Sequence, residues 1–181
     1  MENLLITHHI LIMKTLRTLL ILVLIVSAGL NAAKAQTTKK EKQAAKEAAI
    51  KASVDAKNYT FEANYVLPQR GGGRALTSSD YDLKVTKDTI KSYLPYFGRA
   101  YFDVAYNSSE GGIKFTSTKF EYKVTEKKKG GWEIIIRPTD VRNLNTMTLS
   151  ISTAGYASLS VSSNNRDYIM FDGYIKEPEK K

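Results

Sequence analysis

From Asn58 onward, apolar residues recur at every second position, and this spacing restricts the chain to one class of fold. "YTFEANY" sets Tyr59, Phe61, Ala63 and Tyr65 on one side. "YDLKV" does the same with Tyr81, Leu83 and Val85, and "FEYKV" with Phe120, Tyr122 and Val124. "WEIII" (Trp132, Ile134, Ile136), "MTLSI" (Met147, Leu149, Ile151) and "ASLSV" (Ala157, Leu159, Val161) continue the pattern. "YIMFDGYI" closes it near Ile175. Successive side chains of a strand point to opposite faces, so this alternation describes half-buried antiparallel strands.

Turn chemistry separates the runs. "TKDT" (86–89), "KKKGG" (127–131), "TAG" (153–155) and "SSNNR" (162–166) hold the Gly and Asn residues that tolerate positive φ in hairpins. The longest weakly patterned link, "QRGGGRALTSS" (69–79), predicts a mobile loop with two arginines. Ahead of the strands, residues 37–57 are rich in Ala and Lys without Gly or Pro, and predict a helix. Its apolar face is thin: Ala44, Ala48, Ile50 and Val54. The expected fold is therefore mainly β, or α+β by strict count. An N-terminal Ala/Lys-rich helix precedes eight or nine antiparallel strands in a meander, as a barrel-like or strongly curved sheet. A two-sheet β-sandwich is the alternative.

The N-terminus reads as an export signal. Lys14 and Arg17 precede the apolar run Leu19–Leu30, and "AKA" (Ala33–Ala35) follows with small residues at the cleavage positions. Cleavage is expected after Ala35, leaving Gln36 first, and a conventional leader starts at Met13. The run is shorter than the roughly 20 residues a spanning helix needs, so the mature protein is not expected to span a membrane. The expected division is 1–35 signal peptide, 36–57 helical segment, 58–176 a single β domain and 177–181 a charged tail. The destination is the periplasm or the extracellular space.

Cleavage changes the available chemistry. Both histidines, His8 and His9, lie in the leader, and the chain has no cysteine. Residues 36–181 therefore hold no Cys nucleophile, no Ser-His-Asp triad and no His/Cys zinc site. No cofactor or metal is expected. Losing Glu2, Lys14, Arg17 and Lys34 takes the net charge from +9 to +7. For an exported chain the acidic neighbours are anionic glycans or membrane surfaces rather than nucleic acid.

Carboxylates remain as catalytic candidates: Asp80, Asp82, Asp88 and Asp103. A glycosidase needs two of them facing each other across a cleft. Nothing in their spacing raises them above solvated strand ends. The Gly run 71–73 between Arg70 and Arg74 lacks the Lys-Ser/Thr of a P-loop. Lys127–Lys129 reads as a solvated hairpin tip.

"SYLPYFGRAYFDVAY" is the candidate binding segment. Tyr93, Tyr96, Phe97, Tyr101, Phe102 and Tyr106 are a third of the chain's aromatic residues, with Arg99 among them. In one extended strand they would fall on both faces. Three bare rings would expose about 450–750 Å², as much as the largest apolar patch of a typical monomer, roughly 300–600 Å². Three resolutions stand open. Pro95 and Gly98 break the register so that most of the rings reach one core, or the Ala-rich helix covers the spare face, or a ligand or partner does. In the last case Arg99 is placed to stack on a ring and bind a carboxylate or sulfate; the plainer reading pairs it with Asp103.

"LTSSDYDLKV", "SYLPYFGRAY", "GGIKFTS", "EKKKGGWEI" and "SNNRDYIMFDGYI", in that order, resemble an uncharacterised family of small secreted proteins from Bacteroidota, held as a domain of unknown function. The resemblance implies export and a single domain, and it carries no activity or site residue. The expected function is a non-enzymatic exported domain that binds an apolar or amphipathic ligand through an aromatic-lined surface. Its partner is then a lipid-like small molecule or an envelope component. The alternatives are a structural or interaction protein of the cell envelope, and a carboxylate hydrolase.

Overall fold

The computed structural model describes residues 39–102 and 111–176. The chain divides into two compact units, 1–44 and 45–181. Of the first, residues 39–44 are described; they are helical and exposed. The leader, the charged tail, Asp103 and Tyr106 lie outside the described residues.

In the second unit the helix (α1, 39–55) continues to Asp55 and presents Ile50 and Val54, one turn apart, to the core. Ala44 and Ala48 stay exposed. The helix ends in a Schellman motif: Asn58 N–H bonds Ser53 O at 2.9 Å and Lys57 N–H bonds Val54 O at 3.1 Å. Lys57 takes the left-handed position, φ 50°, usually given to glycine. The helix lies at the end of the sheet marked by Gly155 and Glu126, where Lys51 donates to Glu126 at 2.7 Å.

Ten strands follow: β1 Tyr59–Pro68, β2 Arg74–Ala75, β3 Asp82–Val85, β4 Ile90–Leu94, β5 Ile113–Ser117, β6 Phe120–Glu126, β7 Trp132–Pro138, β8 Leu144–Ile151, β9 Tyr156–Ser163 and β10 Ile169–Lys176. They form one antiparallel, nearly closed barrel-like sheet in the order β5-β4-β3-β1-β10-β9-β8-β7-β6, with β2 added beside β1. The meander is thus sealed by its first and last strands, which pair from Thr60↔Lys176 to Pro68↔Ile169. A bulge between Ala63 and Tyr65 interrupts that ladder.

The two ends of this order are joined in an unusual way. Every neighbouring pair is antiparallel along nine strands, so β5 and β6 run in the same direction. Parallel strands side by side need a crossover of about a dozen residues. Only Thr118 and Lys119 separate them. They therefore lie end to end as one bent strand, which pairs with β4 before the bend and with β7 after it. Around the barrel this leaves eight strand positions, a size at which side chains fill the interior. Here Phe61, Leu83, Ile134, Met147, Leu149, Leu159 and Phe171 do so.

Asp140 holds the bend. Its carboxylate accepts from Ser117 Oγ, from Thr118 N–H at 2.9 Å and from Lys119 N–H at 3.1 Å. The Ser117 hydroxyl, then the Thr118 amide, keep its pKa below the ordinary 3.8. A depressed carboxylate contributes stability above its unfolded pKa and loses it as pH falls through the folded one. Melting temperature should therefore drop as pH falls below about 3.8. Asp140→Asn should lower the neutral-pH melting temperature by a few degrees and flatten that acid slope. Parallel melts of both proteins across pH check this, and identical slopes would remove Asp140 from the account.

Candidate functional site

The aromatic segment does not stay extended. β4 alternates Ile90, Ser92 and Leu94 inward with Lys91 and Tyr93 outward. Pro95, which has no N–H to give a ladder, ends it. The register does break at Pro95, but most of the rings do not gather in one core, and the helix lies against Gly155 and Glu126 rather than over them.

The break sends the rings to different places. Tyr93 sits on the outer face, stacked on Tyr81 at 6.0 Å with the Lys114 ammonium 4.6 Å from its centroid. Tyr96 and Phe97 are half-buried and pack on the core. The Tyr96 hydroxyl lies 2.8 Å from Arg99 O and 3.0 Å from Asp167 O. Burial, reinforced by the Asp167 charge, pushes the Tyr96 pKa up to about 12. The Arg74 guanidinium covers Phe97 at 4.6 Å. Tyr101 and Phe102 are 60% and 57% exposed.

Beyond Gly98 the chain runs as a short strap along the β9–β10 turn. Asp167 N–H bonds Arg99 O at 3.0 Å, Tyr101 N–H bonds Asn165 O at 2.8 Å, and Ala100 bridges Arg166. The Arg99 side chain is exposed. The strap is latched by Tyr101, whose hydroxyl donates to Asp167 Oδ1. That bond raises the Tyr101 pKa. The other oxygen of Asp167, Oδ2, is buried and accepts no hydrogen bond among the described residues. Arg70 Nε lies 3.9 Å away, close enough for an ion pair but too far for a hydrogen bond. Tyr101→Phe should leave both Asp167 oxygens short of donors, lower the melting temperature and speed proteolysis within 95–102. Limited proteolysis with mass mapping reads this, and unchanged cleavage would argue against a latch.

The arginines of the Gly-rich link, Arg70 and Arg74, both reach this region, one to Asp167 and one to Phe97. The strap therefore gathers parts of the chain that appear as separate loops in the sequence.

Beside it opens a groove of about 310 Å³ at the mouth of the barrel. The start of β5, the β7–β8 turn and the end of β9 line it. Ile113 and Leu144 are buried in its wall, and Phe115 and Val141 are half-buried there. Lys114, Arg142, Asn143, Ser163, Asn165 and Arg166 are its polar lining. None of the five aromatic candidates among the described residues lines it. Tyr96 comes nearest in effect, because its ring lies 5.0 Å from the Arg166 guanidinium carbon. Arg166 Nη1 donates to Gly111 O and Gly112 O at 2.7 and 3.1 Å.

A larger groove, about 650 Å³, lies on the outer face of β1, β3 and β4. Its carboxylates are engaged: Glu62 accepts from Lys176 and Tyr174, Asp82 pairs with Lys84 at 3.4 Å, and Asp80 accepts from Ser78 at 3.0 Å. Burial works to raise the Glu62 pKa, but the bonds from Lys176 and Tyr174 outweigh it and leave the carboxyl below its ordinary range. A general acid requires the opposite shift. No group of three or more His, Cys, Asp or Glu among the described residues could hold a metal ion. None of the described helices is long and apolar enough to cross a membrane.

Comparison with known proteins bears on the fold. A family model described as "Domain of unknown function (DUF4251)" matches residues 41–175. The crystal structure of a DUF4251 family protein from Bacteroides eggerthii DSM 20697 is similar, with a TM-score of 0.52 at 17% sequence identity. The match covers 75% of this chain and 91% of that one. No curated protein matches.

Proposed function

We propose that this chain, which belongs to the DUF4251 family of unknown function, is an exported, non-enzymatic domain that holds an apolar or amphipathic ligand at the barrel mouth. The observation that carries the reading is the groove there, lined by Ile113, Phe115, Val141 and Leu144 together with Lys114, Arg142, Asn165 and Arg166. Half-buried Phe115 and Val141 give the groove its apolar surface, and the convergence of polar groups beside them is a feature of small-molecule pockets. Its volume of about 310 Å³ is at the small end of such pockets. The leader-like run Leu19–Leu30 supports export. The engaged state of Glu62, Asp80 and Asp82 supports a binding role over catalysis.

Native mass spectrometry of the protein purified from its own cells tests this. A small-molecule adduct that is lost on extraction with organic solvent is expected. A bare chain that also fails to take up the neutral dye N-phenyl-1-naphthylamine would sink the reading.

A further inference from the structure

Arg166 is the charged residue of the mouth groove whose bonding is most fully defined. A guanidinium has five N–H donors in a planar fork. Two carbonyls, Gly111 O and Gly112 O, take the Nη1 group. No described residue accepts from Nε or Nη2, and none of the ion pairs among the described residues includes Arg166. Asp167, next in the chain, faces Tyr101 and Arg70 instead.

The side chain is nevertheless held firmly. The two carbonyls fix one edge, and the Tyr96 ring lies over the guanidinium at 5.0 Å. Burial disfavours its charge and lowers its pKa. A partly desolvated cation with no counter-charge among the described residues is stabilised by an anion that reaches it. The Nε/Nη2 edge is the one that binds a carboxylate through two parallel hydrogen bonds.

We propose that the mouth groove takes a single-chain amphiphile with an anionic head, the head on the Nε/Nη2 edge of Arg166 and the body against Ile113, Phe115, Val141 and Leu144. This rests on reading the groove as a ligand site and adds the charge and the anchor. The size of the groove favours one short chain over a two-chain lipid.

Dodecanoate and dodecanol share a chain and differ in the head. Each is titrated, below its micelle concentration and with the acid ionised, against protein carrying N-phenyl-1-naphthylamine. Dodecanoate should displace the dye at about 10- to 100-fold lower concentration, the ratio expected of a charge-assisted pair. Arg166→Gln should bring the acid-to-alcohol ratio to about 1, read as a ratio so that a change in groove affinity common to both ligands cancels. Arg166→Lys, which keeps the charge and loses the fork, should restore only part of it. Should the variants fail to fold by circular dichroism, the wild-type acid-to-alcohol ratio alone decides. Equal displacement by acid and alcohol overturns the anionic head and leaves the ligand site standing. No uptake of dye, with no heat from dodecanoate by calorimetry, overturns both.

Discussion

Gly173→Ala is expected to break the seam between β1 and β10 and to destabilise the protein by about 3 kcal/mol or more. A Cβ at position 173 would stand 1.9 Å from Glu62 O and 3.0 Å from the Phe61 ring. The first obstacle is backbone, so no rotamer change relieves it. Strands β1 and β10 would have to separate where the bulge at Ala63/Tyr65 already interrupts their ladder. Separation would also pull Glu62 from Lys176 and Tyr174. Urea unfolding measures the loss. Phe61→Leu should not rescue the variant, because it frees the ring side and not the carbonyl. Rescue would show the ring to be the true obstacle.

Phe171→Ala is expected to cost about 3–5 kcal/mol, the range for truncating a fully buried aromatic. Phe171 lies on β10 opposite Val66 and Leu159, and none of its surface is exposed. A domain of ordinary stability has about 5–15 kcal/mol in total, so this variant should sit near the edge of folding. Phe171→Leu should recover more than half of the loss, since it refills most of the space. A Phe171→Ala protein that unfolds at the wild-type urea midpoint would mean that the barrel interior is not packed as described.

Much of this fold is legible in the residues, and the exceptions have physical causes. β7 to β10 follow the alternation almost residue for residue, because their inward positions are uniformly apolar. β4 and β5 were hidden because Ser92 and Ser117 occupy inward positions and break the apolar pattern. Each is satisfied by tertiary bonds, Ser92 to Ile113 O and Ser117 to Asp140. The aromatic run then drew attention to Tyr93–Tyr106, whereas the strand lies at Ile90–Leu94. Pro95 was the visible cue to its end. Glu62 faces outward yet is buried, because β10 brings Lys176 and Tyr174 over it from the far end of the chain. No local pattern reports that. Arg166 belongs by sequence to a hairpin turn, "SSNNR", and its bonding depends on Gly111 and Gly112, which lie far from it in the chain. The choice between barrel and sandwich rested on the same kind of distant pairing, β1 with β10.

That pairing also sets the order in which the protein can fold. The ladders β6 to β9 are local hairpins and can form as soon as their residues exist. β1 must wait for Ile169–Lys176, so its apolar face, with Tyr59, Phe61 and Val66, has no final partner on that side until β10 is present. Such a closing contact carries the largest loop entropy in the molecule. The pairing of β1 with β10 is then expected to form late, and slower refolding of variants at that seam would check it. A chain truncated before Ile169 leaves β1 and β9 as two unpaired edges, open to association with other copies.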